Sequence, residues 1–128
     1  MAIVKKKNEL SQLNYQDPQY DQVEEELHDL EDAWMDTYGE EMEKVIQEVH
    51  DRICPDTDVL LPIAYLAKSY VPVEDDKGAE TYDVDLKEGV PVILDEYPDH
   101  LTRMVLIPTP PRIIVQVNRK KRFLVWPE

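Results

Sequence analysis

The chain has 128 residues and a formal net charge of −14, from 14 Lys and Arg against 28 Asp and Glu. This length fits one domain, and a hydrophobic fraction of 42% supplies enough apolar material for a core. The longest apolar runs are too short to cross a membrane, and no apolar stretch typical of a signal peptide follows the first lysines. A single cysteine, Cys54, excludes an internal disulfide. We therefore expect a cytoplasmic protein that does not bind membranes.

The negative charge is concentrated in one segment. Residues 15–58 contain 16 acidic and only two basic residues, a net charge of −14, whereas residues 1–14 carry +2 and residues 59–128 carry −2. Such a segment repels a phosphate backbone and attracts a basic protein. The alternative is that it forms an ordinary solvated helix face.

The first half of the chain is predicted to be helical after a short arm. Residues 1–17 lack a sustained periodicity and are predicted to form a flexible arm. Asp17 followed by Pro18 is a helix-start signal, so residues 18–54 are predicted to be helical. Apolar residues then recur at intervals of three and four, which indicates one amphipathic helix with an acidic opposite face. They are Tyr20, Val23, Leu27, Leu30, Trp34, Tyr38, Met42, Val45, Val49 and Ile53.

The length of this helix raises a packing problem. About 34 residues at roughly 1.5 Å each make a rod of about 50 Å, whereas a compact domain of this size is about 36 Å across. Thr37 to Glu40 match a capping box around Gly39, which favours a break or kink there, but the apolar stripe keeps its phase across Gly39. Either the helix bends or a second chain covers its overhang. We expect a bend together with self-association, as a homodimer through residues 20–53.

The second half is predicted to be mainly β, over residues 59–127. Short apolar or alternating segments separated by turns indicate strands. They are 68–73, 81–86, 90–94, 104–107, 113–117 and 123–126, with turns at 74–78, 87–89 and 118–122. The prediction is a single α+β domain over residues 18–128, with the acidic helix packed on an antiparallel sheet of five or six strands or a small barrel. The predicted core is Val23, Leu27, Leu30, Trp34, Val45, Val49, Ile53, Leu61, Ile63, Val92, Leu94, Val105, Ile107, Ile114, Val115, Leu124 and Trp126.

The sequence indicates no catalytic residue, no metal site and no cofactor. Its three glycines cannot form a phosphate-binding loop, and no serine sits in a glycine-flanked nucleophile elbow. Cys54 lies at a predicted helix C-terminus, where the helix dipole disfavours a thiolate. Glu25 and His28 have the spacing of a bundle di-iron site, but the required second motif is missing. An enzyme whose carboxylates converge from distant positions stays an alternative.

The leading interpretation is a non-enzymatic interaction module. It would act as an adaptor, a chaperone-like protein or an inhibitor that presents the acidic helix to a basic partner. The residues predicted to bind this partner are Glu24, Glu25, Glu26, Asp29, Glu31, Asp32 and Trp34.

A second interpretation is a small nucleic-acid-binding domain. Basic residues beside aromatic ones bind single strands through phosphate contacts and stacking, and such a cluster lies in the predicted hairpin before Phe123. It consists of Arg119, Lys120, Lys121 and Arg122. The overall charge of −14 opposes this function. The loop would otherwise pair with the chain's own acidic helix or form an ordinary polar turn.

Overall fold

The computed structural model describes residues 2–74, 80–108, 111–118 and 120–127. In chain order the elements of these ranges are α1 (Ala2–Ser11), α2 (Tyr20–Ile53), a 3-10 helix (Pro62–Tyr65), β1 (Val71–Glu74), β2 (Glu80–Asp83), β3 (Val90–Val92), β4 (Thr102–Pro108), β5 (Pro111–Val117) and β6 (Lys121–Trp126). The predicted α+β class is confirmed. The predicted turn at 74–78 lies mostly outside the described residues.

The amino-terminal segment differs from the predicted arm, because residues 2–11 form α1. Ile3 and Val4 are 3% and 0% exposed, and α1 packs against α2. The Tyr70 N–H donates to Asn8 Oδ1 at 2.7 Å, which ties α1 to the chain before β1. A run of polar residues after Val4 hides the periodicity of α1, and so short a helix depends on tertiary packing for its stability.

Helix α2 is continuous through Gly39. Thr37 does not cap a new helix at this point, because its hydroxyl donates to the Ala33 carbonyl oxygen at 3.0 Å within the same helix. Gly39 is buried, and a Cβ there would lie 3.0 Å from Met35 Cε. A break at the capping box is therefore absent, and the predicted bend near Gly39 stays a prediction. The 34 residues of α2 have a length of about 50 Å along the helix axis.

The apolar stripe of α2 is covered within the chain. The buried residues of α2 are Val23, Leu27, Trp34, Gly39, Met42, Ile46, Val49 and His50, whereas Tyr38 of the stripe is 46% exposed. Helix α1 lies beside the N-terminal half, where Lys6 contacts Glu26. The 3-10 helix and the sheet cover the C-terminal half. Helix α1 thus covers the N-terminal half of α2 within the chain. The homodimer through residues 20–53 stays a prediction.

The strands form two antiparallel sheets instead of the predicted single sheet or barrel. One has the order β1-β2 and the other β3-β4-β5-β6. The chain after β2 lies across one face of the larger sheet and not beside its edge. Gln116 of β5 donates from Nε2 to the carbonyl oxygens of Asp85 and Glu88, at 3.0 and 2.9 Å. Arg112 donates from Nη2 to the Tyr82 carbonyl oxygen at 2.5 Å. The carbonyl oxygens that accept these bonds could have paired with a neighbouring strand in a single larger sheet. Here side chains of β5 bind them instead.

Both faces of β4 and β5 are therefore covered. The face toward α2, here called the helix face, contains Met104, Leu106, Ile113 and Val115, all at most 1% exposed.

Most residues of the predicted core are buried or half-buried. The prediction is wrong for Leu61 and Leu124, which are 58% and 60% exposed. Leu61 precedes the 3-10 helix, and Leu124 lies on β6, which is the edge strand of the larger sheet. Edge strands leave part of their surface in solvent.

A buried hydrogen-bonded chain fixes the end of α2. His50 Nδ1 lies 3.0 Å from the Thr57 carbonyl oxygen. Because a carbonyl only accepts, Nδ1 carries the proton and Nε2 accepts from the Tyr65 hydroxyl at 2.9 Å. The Tyr65 oxygen in turn accepts from the Leu60 N–H at 3.0 Å. His50 and Tyr65 are each 1% exposed, so this chain satisfies polar groups that have no access to water.

Replacing Ile3 with Ala tests whether α1 is part of the fold. Removing a buried isoleucine side chain lowers the free energy of unfolding by about 2–5 kcal/mol, measured by urea denaturation. Leu60→Ala, at a residue 43% exposed, is the control and changes the free energy by about 0.5 kcal/mol or less. An Ile3→Ala protein as stable as the parent would mean that residues 2–11 form a loose arm.

Tyr65→Phe tests the buried chain at the end of α2. The variant leaves the Leu60 N–H and His50 Nε2 without their partner, so we expect a loss of about 1–3 kcal/mol in thermal or urea unfolding. Tyr38→Phe, at a residue 46% exposed, is the matched control. Equal stability of the two variants would contradict the assigned network.

Candidate partner-binding surface

One face of α2 carries six exposed carboxylates, here called the acidic stripe. They are Glu25, Asp29, Asp32, Asp36, Glu40 and Glu43. Intervals of four and three residues place them on one helix face, and they extend over about 27 Å. Within the part of the chain that the structure describes, none of the six forms an ion pair. Like charges at this spacing repel each other, so the stripe destabilises the free helix and favours cationic contacts.

Helix α1 neutralises a neighbouring face of α2. Lys6 Nζ lies 2.6 Å from Glu26 Oε2 and 3.1 Å from Glu9 Oε2. The hydrogen bond to Glu26 raises the pKa of Lys6, and the same contact lowers the pKa of Glu26. Burial lowers the pKa of Lys7, against the opposing effect of the nearby Glu31 carboxylate. Glu26 and Glu31 therefore serve the α1–α2 interface.

The residues predicted to bind a partner thus separate into groups. Glu25, Asp29 and Asp32 are exposed on the acidic stripe, whereas Glu26 and Glu31 face α1. Glu24 is half-buried and raises the pKa of the neighbouring Tyr20 after the larger effect of burial.

Trp34 does not lie on the acidic face. It is 7% exposed and borders a small cavity with Met42 of α2 and Leu106 of β4. Its ring centroid is 6.3 Å from that of Tyr38. Trp34 therefore packs in the core between α2 and the sheet, as expected of its position in the apolar stripe.

The basic hairpin is partly neutralised within the chain. Arg122 donates to both carboxylate oxygens of Asp83, with Nη2–Oδ1 at 2.5 Å and Nη1–Oδ2 at 3.0 Å. This bidentate contact lowers the pKa of Asp83. Lys120 and Lys121 are exposed, and Arg119 lies outside the described residues. Arg122 thus pairs with Asp83 of β2 and not with the acidic helix.

A cavity of about 330 Å³ opens on the helix face near β6. It is lined by Arg52, Ile53, Leu94, Asp95, Glu96, Tyr97, Val115, Phe123 and Val125. Leu94 and Val115 form a buried floor, at 6% and 1% exposed, whereas Phe123 is 40% exposed. The Tyr97 and Phe123 rings stack with centroids 6.0 Å apart. Sequence reasoning missed this site because its residues come from four distant segments, although Phe123 stood out as an aromatic residue beside basic ones.

The buried ionisable groups include a thiol and a phenol. Cys54 is 0% exposed, and burial raises the pKa of its thiol to about 11. Burial also raises the pKa of the Tyr65 hydroxyl. Among the described residues, no three His, Cys, Asp or Glu side chains are grouped as a metal site would require. In the same ranges no helix combines the length and apolar character needed to cross a membrane.

Comparisons with protein-family models, with curated proteins and with solved structures found no match to this chain.

The Asp83–Arg122 pair predicts a pH dependence. Because the folded-state pKa of Asp83 is lowered, its contribution is fully present above the ordinary carboxyl pKa of about 3.9. It is lost as the pH falls through the lowered value. Asp83→Asn should reduce stability by about 1 kcal/mol or less at pH 7, since the pair is partly exposed.

The measurement is urea unfolding of parent and variant between pH 7 and pH 2. The difference between them should shrink toward the acidic end. Asp99→Asn, at an exposed residue, is the control and should show no such convergence. A constant difference over the whole range would contradict the assigned pair.

Proposed function

We propose that this protein is a non-enzymatic, cytoplasmic protein-interaction module that binds a basic partner along the acidic stripe of α2. An adaptor, a chaperone-like protein and an inhibitor are the forms such a module takes. The observation that carries the proposal is the line of six exposed carboxylates without an ion pair among the described residues.

The electrostatics of the stripe support this proposal. Carboxylates over about 27 Å of one helix face produce a local negative potential that accelerates encounter with a cationic surface. Salt screens exposed charges over about 8–10 Å, so the attraction acts chiefly at contact distance. Bringing Lys or Arg to the stripe also relieves the repulsion among its carboxylates.

The packing of α2 supports the proposal as well. Helix α1 and the sheet hold the helix on its other sides, so the stripe is presented on a rigid element. A rigid surface loses little conformational entropy on binding. Lys6 and Lys7 of α1 do not neutralise the stripe itself, because Lys6 contacts Glu26 and Lys7 lies near Glu31.

The test is a triple variant, Glu25→Gln with Asp29→Asn and Asp32→Asn. The parent protein is immobilised, a basic protein retained from the host extract is identified by mass spectrometry, and its affinity is then measured with purified components. Each exposed ion pair contributes about 0.2–1 kcal/mol, so the variant should bind roughly 3- to 150-fold more weakly.

The control variant has the same change in net charge at other sites, Asp56→Asn with Asp58→Asn and Asp99→Asn, all at exposed loop positions. It should bind the partner as the parent does, apart from a small long-range effect. Equal affinity of the stripe variant and the parent would refute the proposed function. Retention of nucleic acid in place of a basic protein would also refute it and would favour the basic hairpin.

A further inference from the structure

We infer that the cavity beside β6 is an anchor pocket for one aromatic side chain of the partner, flanked in the partner's sequence by Lys or Arg. The basic flanks rest on the proposed function, whereas the aromatic anchor rests on the cavity itself. The aromatic ring would stack on Phe123, and the cationic groups would contact Asp95 and Glu96.

The size and lining of the cavity fit an aromatic ring. Its volume of about 330 Å³ lies within the range of small-ligand sites. Leu94 and Val115 close its floor and are almost fully buried, whereas Phe123 keeps 40% of its surface exposed. Tyr97 stacks against Phe123, which leaves an aromatic wall with part of its area uncovered. Aromatic side chains in such apolar pockets provide most of the binding energy in many protein interfaces.

The rim of the cavity fits a cation more than an anion. Asp95 and Glu96 are exposed carboxylates on the rim. Arg52 is the only cation among the lining residues that the structure describes, and its Nη2 donates to the Val125 carbonyl oxygen. The rim therefore carries a net negative charge beside aromatic rings, an environment that attracts Lys and Arg by both Coulombic and cation–π interactions.

The cavity is preformed by contacts between its walls. The Asp95 N–H donates to the Ile53 carbonyl oxygen at 3.2 Å, and the Tyr97 N–H donates to the Leu94 carbonyl oxygen at 3.1 Å. The first bond joins the segment after β3 to the end of α2, and the Arg52 contact joins α2 to β6. Because these hydrogen bonds fix three of its walls, the pocket loses little conformational entropy when a side chain binds in it.

The experiment uses the full-length protein labelled with nitrogen-15 and four capped tripeptide amides: Lys-Trp-Lys, Ser-Trp-Ser, Glu-Trp-Glu and Lys-Ala-Lys. Titrations followed by amide chemical shifts should give saturable changes around residues 94–97 and 123–125 with Lys-Trp-Lys. We expect about tenfold weaker binding at this site for Glu-Trp-Glu and for Lys-Ala-Lys. The Ser-Trp-Ser peptide should bind with intermediate affinity.

Neighbouring residues of β6 supply matched variants. Phe123→Ala should weaken Lys-Trp-Lys by about tenfold, whereas Leu124→Ala should leave its affinity within about twofold, since Leu124 does not line the cavity. Asp95→Asn with Glu96→Gln should weaken Lys-Trp-Lys and leave Ser-Trp-Ser unchanged. The amide spectrum of each variant shows whether it is folded. If Phe123→Ala does not fold, Phe123→Leu is used in its place.

Several outcomes would overturn the anchor pocket. They are equal binding of Lys-Trp-Lys and Lys-Ala-Lys, shifts confined to the acidic stripe, and a dimer in sedimentation velocity that Phe123→Ala abolishes, which would make a second copy the occupant. If the tripeptides fail to bind the cavity while the stripe variant still loses its partner, the proposed function stands and the anchor pocket falls. If Lys-Trp-Lys binds as expected but the stripe variant keeps its partner, the stripe proposal falls and the pocket survives.

Discussion

The structure depends on one constraint: a helix of 34 residues is longer than a compact domain of this size, and its apolar stripe needs cover along its whole length. Two layers meet this need on different halves of the helix. Helix α1, through Ile3 and Val4, packs beside the N-terminal half, and the sheet and the 3-10 helix cover the C-terminal half. The continuity of α2 through Gly39 follows, because neither half has to fold back to hide its apolar residues.

The charge distribution follows from the same arrangement. Lys6 of α1 contacts Glu26 and Lys7 approaches Glu31, so packing and charge neutralisation occur at one interface. The carboxylates of the acidic stripe are exposed, and none of them forms an ion pair among the described residues. The acidic stripe therefore belongs to the larger part of the segment of −14 that the α1–α2 interface leaves exposed. The pairing of Arg122 with Asp83 neutralises one cation of the basic hairpin within the chain, as the Lys6–Glu26 pair does at the α1–α2 interface.

Local patterns predicted α2 and most strands because periodicity and turn residues act over a few neighbours. They missed α1, whose stability comes from a helix 20 residues away. They also placed β2 in one sheet with β3–β6, because sequence does not reveal that Gln116 binds the backbone after β2. In the candidate site, the exposure of Glu25, Asp29 and Asp32 could be predicted from the acidic face of the amphipathic pattern. The burial of Trp34 could also be predicted, from its place in the apolar stripe. The position of Phe123 beside a cavity could not, since it depends on which strand lies at the sheet edge.

Amide hydrogen exchange along α2 tests the central claim most directly. In the parent protein, amides of residues 23–34 and of residues 42–50 should both be protected, because both halves are packed. In Ile3→Ala, the N-terminal half should lose protection to a much larger extent than the C-terminal half. Rapid exchange of residues 23–34 in the parent protein, or an equal loss in both halves of the variant, would contradict the account that α1 covers the overhanging half of the helix.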